Sequence, residues 1–324
     1  MSIVNKAMRI VGASSVGRVE ALVERATADL SRQLDDLKIL QGQALAMANA
    51  DRAPLECLQN AEFKVFSQFG EDGILQYLIR ETNVRPEERS FVEFGVQNYI
   101  ESCTRFLLMN NHWRGLIIDG NQQYMDAIRY QDIYWREDLT AVSGWIDRDN
   151  INNLIGDTGF KGEIGLLVID IDGNDYWVWE RIEVLNPVIV VVEWNSVFGC
   201  EHAISVPYDP AFDRTRAHYS NLFWGASIAA FEYLGNKKGY ALLGSNSAGN
   251  NIFFVRKDRI GRLTPVSARD GYVVSRFRDS RDQDGNLNFL GGDRRRAEIL
   301  DMTVVNIRSG QTTTLRALDK DSSR

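Results

Sequence analysis

Four short apolar stretches in the middle of this chain each contain or precede a carboxylate. The stretches are Phe91–Phe94, Leu116–Ile118, Leu166–Ile169 and Val188–Val192, and the acids are Glu93, Asp119, Asp170 and Glu193. Stretches that are apolar throughout are typical of parallel strands covered by helices on both faces. Such sheets bind ligands outside the carboxyl ends of their strands. We therefore expect the acids to gather at one sheet edge, where a cation or hydroxyl groups must offset their burial.

Helical segments separate these strands, and an antiparallel hairpin follows them. Helices are predicted at residues 73–81, 103–110, 122–130 and 177–182, and a further strand within Ile133–Val142. This alternation predicts a doubly wound α/β sheet with right-handed crossovers. Tyr240–Gly244 and Asn251–Val255 are joined by a short polar turn, so these strands should be antiparallel. The arrangement is similar to the Rossmann-like class I methyltransferase fold, a mostly parallel seven-stranded sheet whose last strand lies beside the fifth.

The chain divides into residues 1–53, 54–260 and 261–324. In the first part, apolar residues follow heptad spacing from Val16 to Met47, interrupted only by Gln33. This spacing predicts a coiled-coil helix that joins copies of the chain in a homo-oligomer. The alternative is a single amphipathic helix folded back on the next domain. The last part is predicted to hold a β-hairpin and a disordered end at Asp319–Arg324.

A series of ordered motifs runs through the middle part. They are Ser67–Gly73, Phe91–Val96, Gly115–Gly120, Asp170–Tyr176, Val192–Asn195, Val206–Pro210 and Tyr219–Ala226. Together they resemble the FkbM-like group of S-adenosylmethionine-dependent methyltransferases over about residues 63–257. The resemblance implies methyl transfer to an oxygen, often on a sugar, a glycolipid or a secondary metabolite.

Residues at the first strand ends are candidates to hold S-adenosylmethionine, whose sulfonium and ribose diol suit a carboxylate-rich edge. Glu93 could face the ammonium or sulfonium, Gly95 lets the backbone approach closely, and Asp119 could bind the ribose hydroxyls. The full set of predicted cofactor residues is Ser67, Gln68, Glu93, Gly95, Asp119, Val142 and Asp170. The alternative for Glu93 and Asp119 is that each caps the following helix. Ser67 and its neighbours could likewise form a helix start.

A second group of polar residues follows the two later strands. Asp170, Asp172, Glu193 and Asn195 come after strands whose ends lie about 4.8 Å apart, so their oxygens could hold Mg²⁺. A bound cation would stabilise the acceptor's alkoxide. Asp172 and Glu193 are also candidate catalytic residues, together with His202 as a base in the connection after the fifth strand. For Asp170 and Asp172, the alternative is a plain turn in which Asp175 caps the following helix. For His202, the alternative is a structural role.

The composition of the chain limits the classes of partner that it can bind. The net charge of −7 argues against nucleic acid, because phosphate binding needs a basic surface. The sequence contains no apolar stretch of about 18 residues, so we predict no transmembrane segment. Three widely spaced cysteines suit the cytoplasm. The sequence thus predicts a cytoplasmic O-methyltransferase for a saccharide or glycosylated acceptor. The alternatives are a nucleotide-sugar or nicotinamide enzyme on the same fold, and an inactive methyltransferase-like assembly protein organised by its coiled coil.

Overall fold

The computed structural model describes the backbone of residues 3–322 and the side chains of residues 18–23 and 25–320. In chain order the strands are β1 (Ser90–Phe94), β2 (Arg114–Asp119), β3 (Leu139–Ser143), β4 (Gly162–Ile169), β5 (Leu185–Glu193), β6 (Ile204–Ser205), β7 (Tyr240–Ser245), β8 (Asn251–Arg256), β9 (Thr303–Asn306) and β10 (Thr312–Thr314). The helices are α1 (Ile3–Arg52), α2 (Glu71–Glu81), α3 (Arg105–Asn111), α4 (Gln122–Arg129), α5 (Asp132–Arg136), α6 (Ile151–Gly156), α7 (Asp175–Arg181), α8 (Arg214–Ala217), α9 (Ile228–Lys238), α10 (Asp293–Glu298) and α11 (Leu315–Ser322).

Seven strands form one sheet in the order β3-β2-β1-β4-β5-β8-β7. The first five are parallel, whereas β8 is antiparallel to both β5 and β7. This confirms the Rossmann-like methyltransferase fold and the insertion of the last strand beside the fifth. The third strand lies at the C-terminal end of the predicted range and extends one residue beyond it, since α5 occupies Ile133 and β3 begins at Leu139.

Buried apolar side chains cover both faces of this sheet. In β1, Val92 and Phe94 belong to the cluster on one face and Phe91 to the cluster on the other. Because neighbouring residues of a strand point to opposite faces, a strand covered on both sides must be apolar throughout. The continuous apolar stretches of the sequence are therefore explained by the layers of helices.

The helices begin and end where local chemistry favours it. The Asn121 side chain accepts hydrogen bonds from the Gln123 and Tyr124 amides at the start of α4. The Ser227 side chain accepts one from the Ala230 amide at the start of α9, and Gly239 ends α9 in the left-handed conformation. These caps fix the loops that enter and leave the sheet.

The C-terminal part of the 50-residue helix α1 packs on the sheet domain. Ile39 and Ala46 contact a buried cluster that includes Phe63 and Phe106. The long N-terminal helix is confirmed, and coiled-coil association stays a prediction. The side chain of Val16 lies outside the described residues. In the part of the chain that the structure describes, no helix combines the length and apolarity needed to span a bilayer.

The C-terminal extension folds back on the domain. The predicted hairpin is present as β9 and β10, and β6 joins it in a second, three-stranded sheet. The structure has helix α11 where the sequence predicted a disordered end, so Asp319 to Ser322 are helical. The reason is that Leu315 at the start of α11 is fully buried against the hairpin and its neighbours. Residues 323–324 lie outside the described part.

Candidate functional site

Two adjoining cavities open where the parallel strands end. The large cavity, about 850 Å³, is lined by Gly95, Gln97, Asp119, Gly120, Asn121, Gln122, Gln123, Trp145, Ile146, Asp170, Ile171, Asp172, Asn174, Phe212, Asp213, Arg214, Thr215, Asn221 and Asp279. The small cavity, about 240 Å³, shares Gly95, Gln97, Asp170, Asp172, Arg214 and Asp279 with it, and adds among others Gln68, Glu193, Trp224, Phe277 and Arg295. The predicted sheet edge is therefore a bipartite site.

Asp119 lies in the wall of the large cavity, as predicted. One carboxylate oxygen accepts a hydrogen bond from the Gln97 amide at 2.7 Å, and the other accepts one from the Asn121 amide at 2.8 Å. Each oxygen has a second lone pair. The carboxylate is therefore held rigidly by backbone on one side and can still accept two hydroxyl donors on the other.

The loop after β1 brings the backbone close to the end of β4. Gly95 has a φ of +73°, and a Cβ built there would lie 1.7 Å from the Asp170 carbonyl oxygen. Only glycine fits this contact, which is with the chain's own backbone, and the predicted approach of Gly95 to a cofactor stays a prediction. Gln97 and Tyr99 also have positive φ angles. This loop positions the amide of Gln97 against Asp119.

Glu93 does not face either cavity, contrary to the prediction. Its carboxylate accepts hydrogen bonds from the Ser102 hydroxyl at 2.6 Å, the Cys103 amide at 2.9 Å, and the amide and hydroxyl of Thr104. Burial raises the pKa of Glu93, and these hydrogen bonds oppose the shift. Glu93 is thus a structural anchor for the segment before α3, and its oxygens are occupied by the protein itself.

Ser67 is also structural. Asp72 accepts hydrogen bonds from the amides of Val65, Phe66 and Ser67 and from the Ser67 hydroxyl, all at 2.7–2.9 Å. Burial raises the pKa of Asp72 to about 6. The alternative of a helix start is therefore the better interpretation of Ser67, and its assignment to the cofactor is not supported. Gln68 does line the small cavity.

Val142 is not at the surface of either cavity. It is paired with Ile118 in the sheet and packs against the apolar core. The residues after the end of β3 that reach the large cavity are Trp145 and Ile146. Val142 is therefore not supported as a cofactor residue, because it lies inside β3 and its side chain packs in the core.

Asp170 and Glu193 form a pair in the wall of the small cavity, and Asp170 also lines the large one. They follow the adjacent parallel strands β4 and β5, and Glu193 Oε2 has no hydrogen-bond partner. Burial raises the pKa of both carboxyl groups well above the ordinary range, and neighbouring Asp172 raises both further. The pair therefore holds protons more firmly than exposed acids and faces the space where a second ligand would lie.

Asp172 is paired with an arginine that the sequence did not single out. Arg214 Nη1 donates to Asp172 Oδ1 at 2.8 Å, and Nη2 donates to Asp279 Oδ2 at 2.8 Å. The Arg214 guanidinium also lies 4.7 Å from the centre of the Trp224 ring. Because Asp279 belongs to residues 261–324, the C-terminal extension contributes to the site. Arg214 is the cation that the clustered acids required.

Asn195 is committed to the protein backbone. Its amide nitrogen donates to the carbonyl oxygens of Leu222 and Trp224, both at 2.9 Å, and its oxygen accepts from the Val197 amide. With Asp172 bound to Arg214, the four predicted Mg²⁺ ligands are not assembled. Among the described residues, no set of three or more His, Cys, Asp or Glu side chains is arranged to hold a metal.

The turn after β4 combines the two interpretations made from sequence. Asp175 accepts hydrogen bonds from the amides of Ile171 and Gly173, both at 2.9 Å, so it fixes the turn at the start of α7. Asp172, with a φ of +56°, projects toward Arg214. One acid of the motif therefore holds the loop and the other reaches the cavities.

His202 lies outside the bipartite site. It lines a separate cavity of about 400 Å³ together with Tyr272 and Arg296, among others. His202 lines neither of the two cavities that contain Asp170 and Glu193. The predicted role of His202 as the base is therefore not supported. His218 is hydrogen-bonded to Ser220, and burial lowers its pKa.

Three residues that line the cavities were not predicted from the sequence: Arg214, Asp279 and Arg295. Arg214 lies in the same connection as the two histidines, and the need for a cation near four acids was the available signal. Asp279 and Arg295 come from the extension, where no motif marks them. Only the folding of the extension over the small cavity shows their place.

Several solved methyltransferase structures are similar to this chain, at low identity. The carbon methyltransferase of DszA has a TM-score of 0.37 and 14% identity, over 58% of this chain and 52% of that chain. An O-methyltransferase from Bacillus cereus in complex with SAH has a TM-score of 0.36 and 13% identity, over 67% and 90%. The N-terminal domain of EvdMO1 with SAH bound has a TM-score of 0.34 and 10% identity, over 56% and 79%.

The chain spans about half the length of the first of these structures. No family model and no curated protein sequence matches the chain. The assignment of the fold rests on the strand order of the sheet, and the FkbM-like resemblance stays a prediction.

Proposed function

We propose that this chain is an S-adenosylmethionine-dependent O-methyltransferase. The observation that supports this best is the position of Asp119 in the large cavity, with Asp170 and Glu193 in the wall of the adjoining small cavity. An acid at the end of the second strand binds ribose hydroxyls in nucleotide-binding sheets. The antiparallel β8 and the lack of a glycine-rich fingerprint favour a methyl donor over a nicotinamide cofactor.

The large cavity suits the proposed cofactor in size and chemistry. Its volume of about 850 Å³ lies within the range of small-molecule sites. Asp119 offers two acceptor positions for a ribose diol, and Trp145 and Ile146 offer apolar surface for a planar base. Asp170 lines the same cavity, where a carboxylate can balance a positive sulfonium.

The small cavity is the proposed acceptor site. When bound, S-adenosylmethionine supplies an electrophilic methyl group, which a hydroxyl attacks well only as it loses its proton. Glu193 and Asp170 both line this cavity, so one carboxylate of the pair, in its ionised form, can accept that proton. Arg214 provides a fixed positive charge beside the developing alkoxide.

Metal assistance is not part of this proposal. The Asn195 amide is used by backbone carbonyls, and the Asp172 carboxylate is bound by Arg214. The residues present therefore do not fit the predicted Mg²⁺ site, and we assign charge stabilisation to the guanidinium.

A saccharide or glycosylated acceptor is the substrate class that we propose. Trp224 and Phe277 give the small cavity aromatic walls, and carboxyl, amide and guanidinium groups surround them. Sugar rings bind through this combination of an apolar face and hydrogen-bonding hydroxyls. The resemblance of the sequence motifs to the FkbM-like group supports the same class.

The test is calorimetric titration of the full chain with S-adenosylmethionine, S-adenosylhomocysteine and NAD⁺. We expect the first two to bind and NAD⁺ not to bind; binding of NAD⁺ alone would refute the proposal. Transfer of a radiolabelled methyl group to saccharide and glycolipid acceptors then tests the reaction. We expect turnover to persist in EDTA, and a loss that Mg²⁺ restores would refute the role given to Arg214.

A further inference from the structure

Among the residues of α1 whose side chains the structure describes, those that contact the rest of the chain lie on one side of the helix. The contact positions at the centre of this face are Asp35, Ile39, Gly42, Ala46 and Asn49. Further contacts at its borders are made by Arg32, Lys38 and Gln43. A Cβ at Gly42 would lie 2.6 Å from the Val65 side chain, so the helix is closely seated there. The central contact positions alternate in steps of four and three, which places them on one side of an α-helix.

A second apolar stripe runs along the opposite side of α1. The heptad a positions are Val23, Leu30, Leu37 and Ala44, and the d positions are Val19, Ala26, Gln33, Leu40 and Met47. The large apolar side chains among them are 58% to 70% exposed. Leu37 follows Asp35 by two residues, or about 200° around the helix. The two alternatives drawn from the sequence, a coiled coil and a helix folded back on the domain, are therefore compatible. One face of α1 packs on the domain, and the opposite face is exposed.

No other helix in the described residues is long enough to cover this stripe. The stripe from Val19 to Met47 extends for about 42 Å. The next longest helices, α2 and α9, have 11 residues each, and both are packed in the domain. A heptad stripe requires a helix with the same repeat and a similar length. The chain itself carries such a helix.

We propose that the stripe binds the same stripe of a second copy in a parallel, in-register, two-stranded coiled coil. The sheet domain lies on the far side of α1, so it does not obstruct the partner helix. In the parallel arrangement Gln33 faces Gln33 of the second copy, and the two amides can bond to each other. A polar residue in this position specifies register and strand number.

Charge favours the parallel arrangement over the antiparallel one. Asp29 and Asp36 are at g positions beside the stripe. Two parallel helices place them beside the e positions Leu34 and Gln41 of the other copy. Antiparallel pairing of the a and d layers would instead place Asp29 of one copy near Asp36 of the other. Like charges in that position are unfavourable.

The first test measures the mass of the full chain in solution by sedimentation equilibrium. We expect twice the mass of one chain for the natural sequence and for a control with Ala28→Glu and Ser31→Glu, which lie away from the stripe. We expect one chain mass for Leu30→Glu with Leu37→Glu. Thermal unfolding of the sheet domain, followed by near-ultraviolet circular dichroism, checks that each variant is folded.

The second test distinguishes the two orientations by disulfide formation, with Cys57→Ser removing an exposed thiol. Val19→Cys should form a covalent dimer within its own preparation under mild oxidation. An equimolar mixture of Val19→Cys and Ala44→Cys chains should form no mixed dimer. A monomeric natural chain, an unchanged mass for the Leu30 and Leu37 variant, or preferential mixed dimers would each overturn the proposal.

Discussion

Glu93 and Asp119 end neighbouring parallel strands, yet the chain uses them in opposite ways. Glu93 is surrounded by donors from the segment before α3, including two side-chain hydroxyls. Asp119 receives one backbone amide on each oxygen and lines the large cavity. We infer that a carboxylate at a strand end is available to a ligand only where the following loop leaves part of it uncovered.

The same division holds at the other end of the site. Asp175 is fully buried and binds the amides of its own turn, and burial raises its pKa to about 7. Glu193, by contrast, lines the small cavity, and one of its oxygens has no hydrogen-bond partner. The chain thus contains anchoring acids, which hold loops, and open acids, which face the cavities. The following predictions test this division.

The largest effect is expected where an anchoring contact holds the whole edge together. Gly95→Ala would force a Cβ against the Asp170 carbonyl oxygen, so we expect loss of folded protein or a fall in the free energy of unfolding of more than about 3 kcal/mol. The measurement is chemical denaturation. Gly159→Ala is the matched control, because Gly159 also has a positive φ but no neighbour within 4 Å, and it should cost about 1 kcal/mol.

An open acid should affect catalysis rather than stability. Glu193→Gln keeps the shape of the side chain but removes the proposed proton acceptor, so kcat should fall roughly 10²- to 10⁴-fold. Affinity for S-adenosylhomocysteine should change little. Steady-state kinetics measure the first quantity and calorimetry the second. The exposed Glu183→Gln variant is the control, and equal kcat values for the two variants would contradict the assignment.

Substitution of an anchoring acid should lower stability and leave cofactor affinity nearly unchanged. Glu93→Gln leaves at least one of its donors without a charged acceptor, so we expect the free energy of unfolding to fall by about 1–3 kcal/mol. Cofactor affinity should stay within about threefold, well under 1 kcal/mol. A large loss of affinity without a loss of stability would return Glu93 to the cofactor site.

The smallest effect is a difference in pH dependence at Asp72. Its pKa of about 6 in the folded chain lies above the ordinary value of 3.8, so the folded state retains the proton longer. Stability from this group is therefore present at low pH and lost as the pH rises from about 4 to about 6. Relative to Asp72→Asn, the natural chain should lose at most about 3 kcal/mol over that range. Parallel pH profiles would contradict the assignment.

Much of the fold was predictable because the residue pattern of each strand depends on which of its faces are buried. Apolar stretches without alternation indicated a sheet covered on both faces, and the short turn after Gly244 indicated the antiparallel end. The third strand was predicted only as a ten-residue range, and helix α5 occupies the first part of that range. The extension was predicted only in part, because α11 is held by burial of Leu315 and not by a strong local signal.

The site was predictable to a smaller extent. The sequence located the carboxylates at the correct edge, but it could not show which of them the chain's own donors would occupy. Ser102 and Thr104 lie nine and eleven residues after Glu93, and nothing in their spacing marks them as its partners. Arg214 reaches Asp172 across 42 residues, and Asp279 comes from still further along the chain. Contacts of this kind depend on tertiary structure.

The affinity of the Asp119→Ala variant for S-adenosylhomocysteine tests the central claim most directly. Calorimetry should show a loss of at least about 100-fold relative to the natural chain, because a carboxylate that binds two hydroxyls contributes roughly 3 kcal/mol. Asp126→Ala, an exposed acid on the following helix α4, should bind as the natural chain does. Equal affinity in the Asp119 and Asp126 variants, with both folded, would contradict the account.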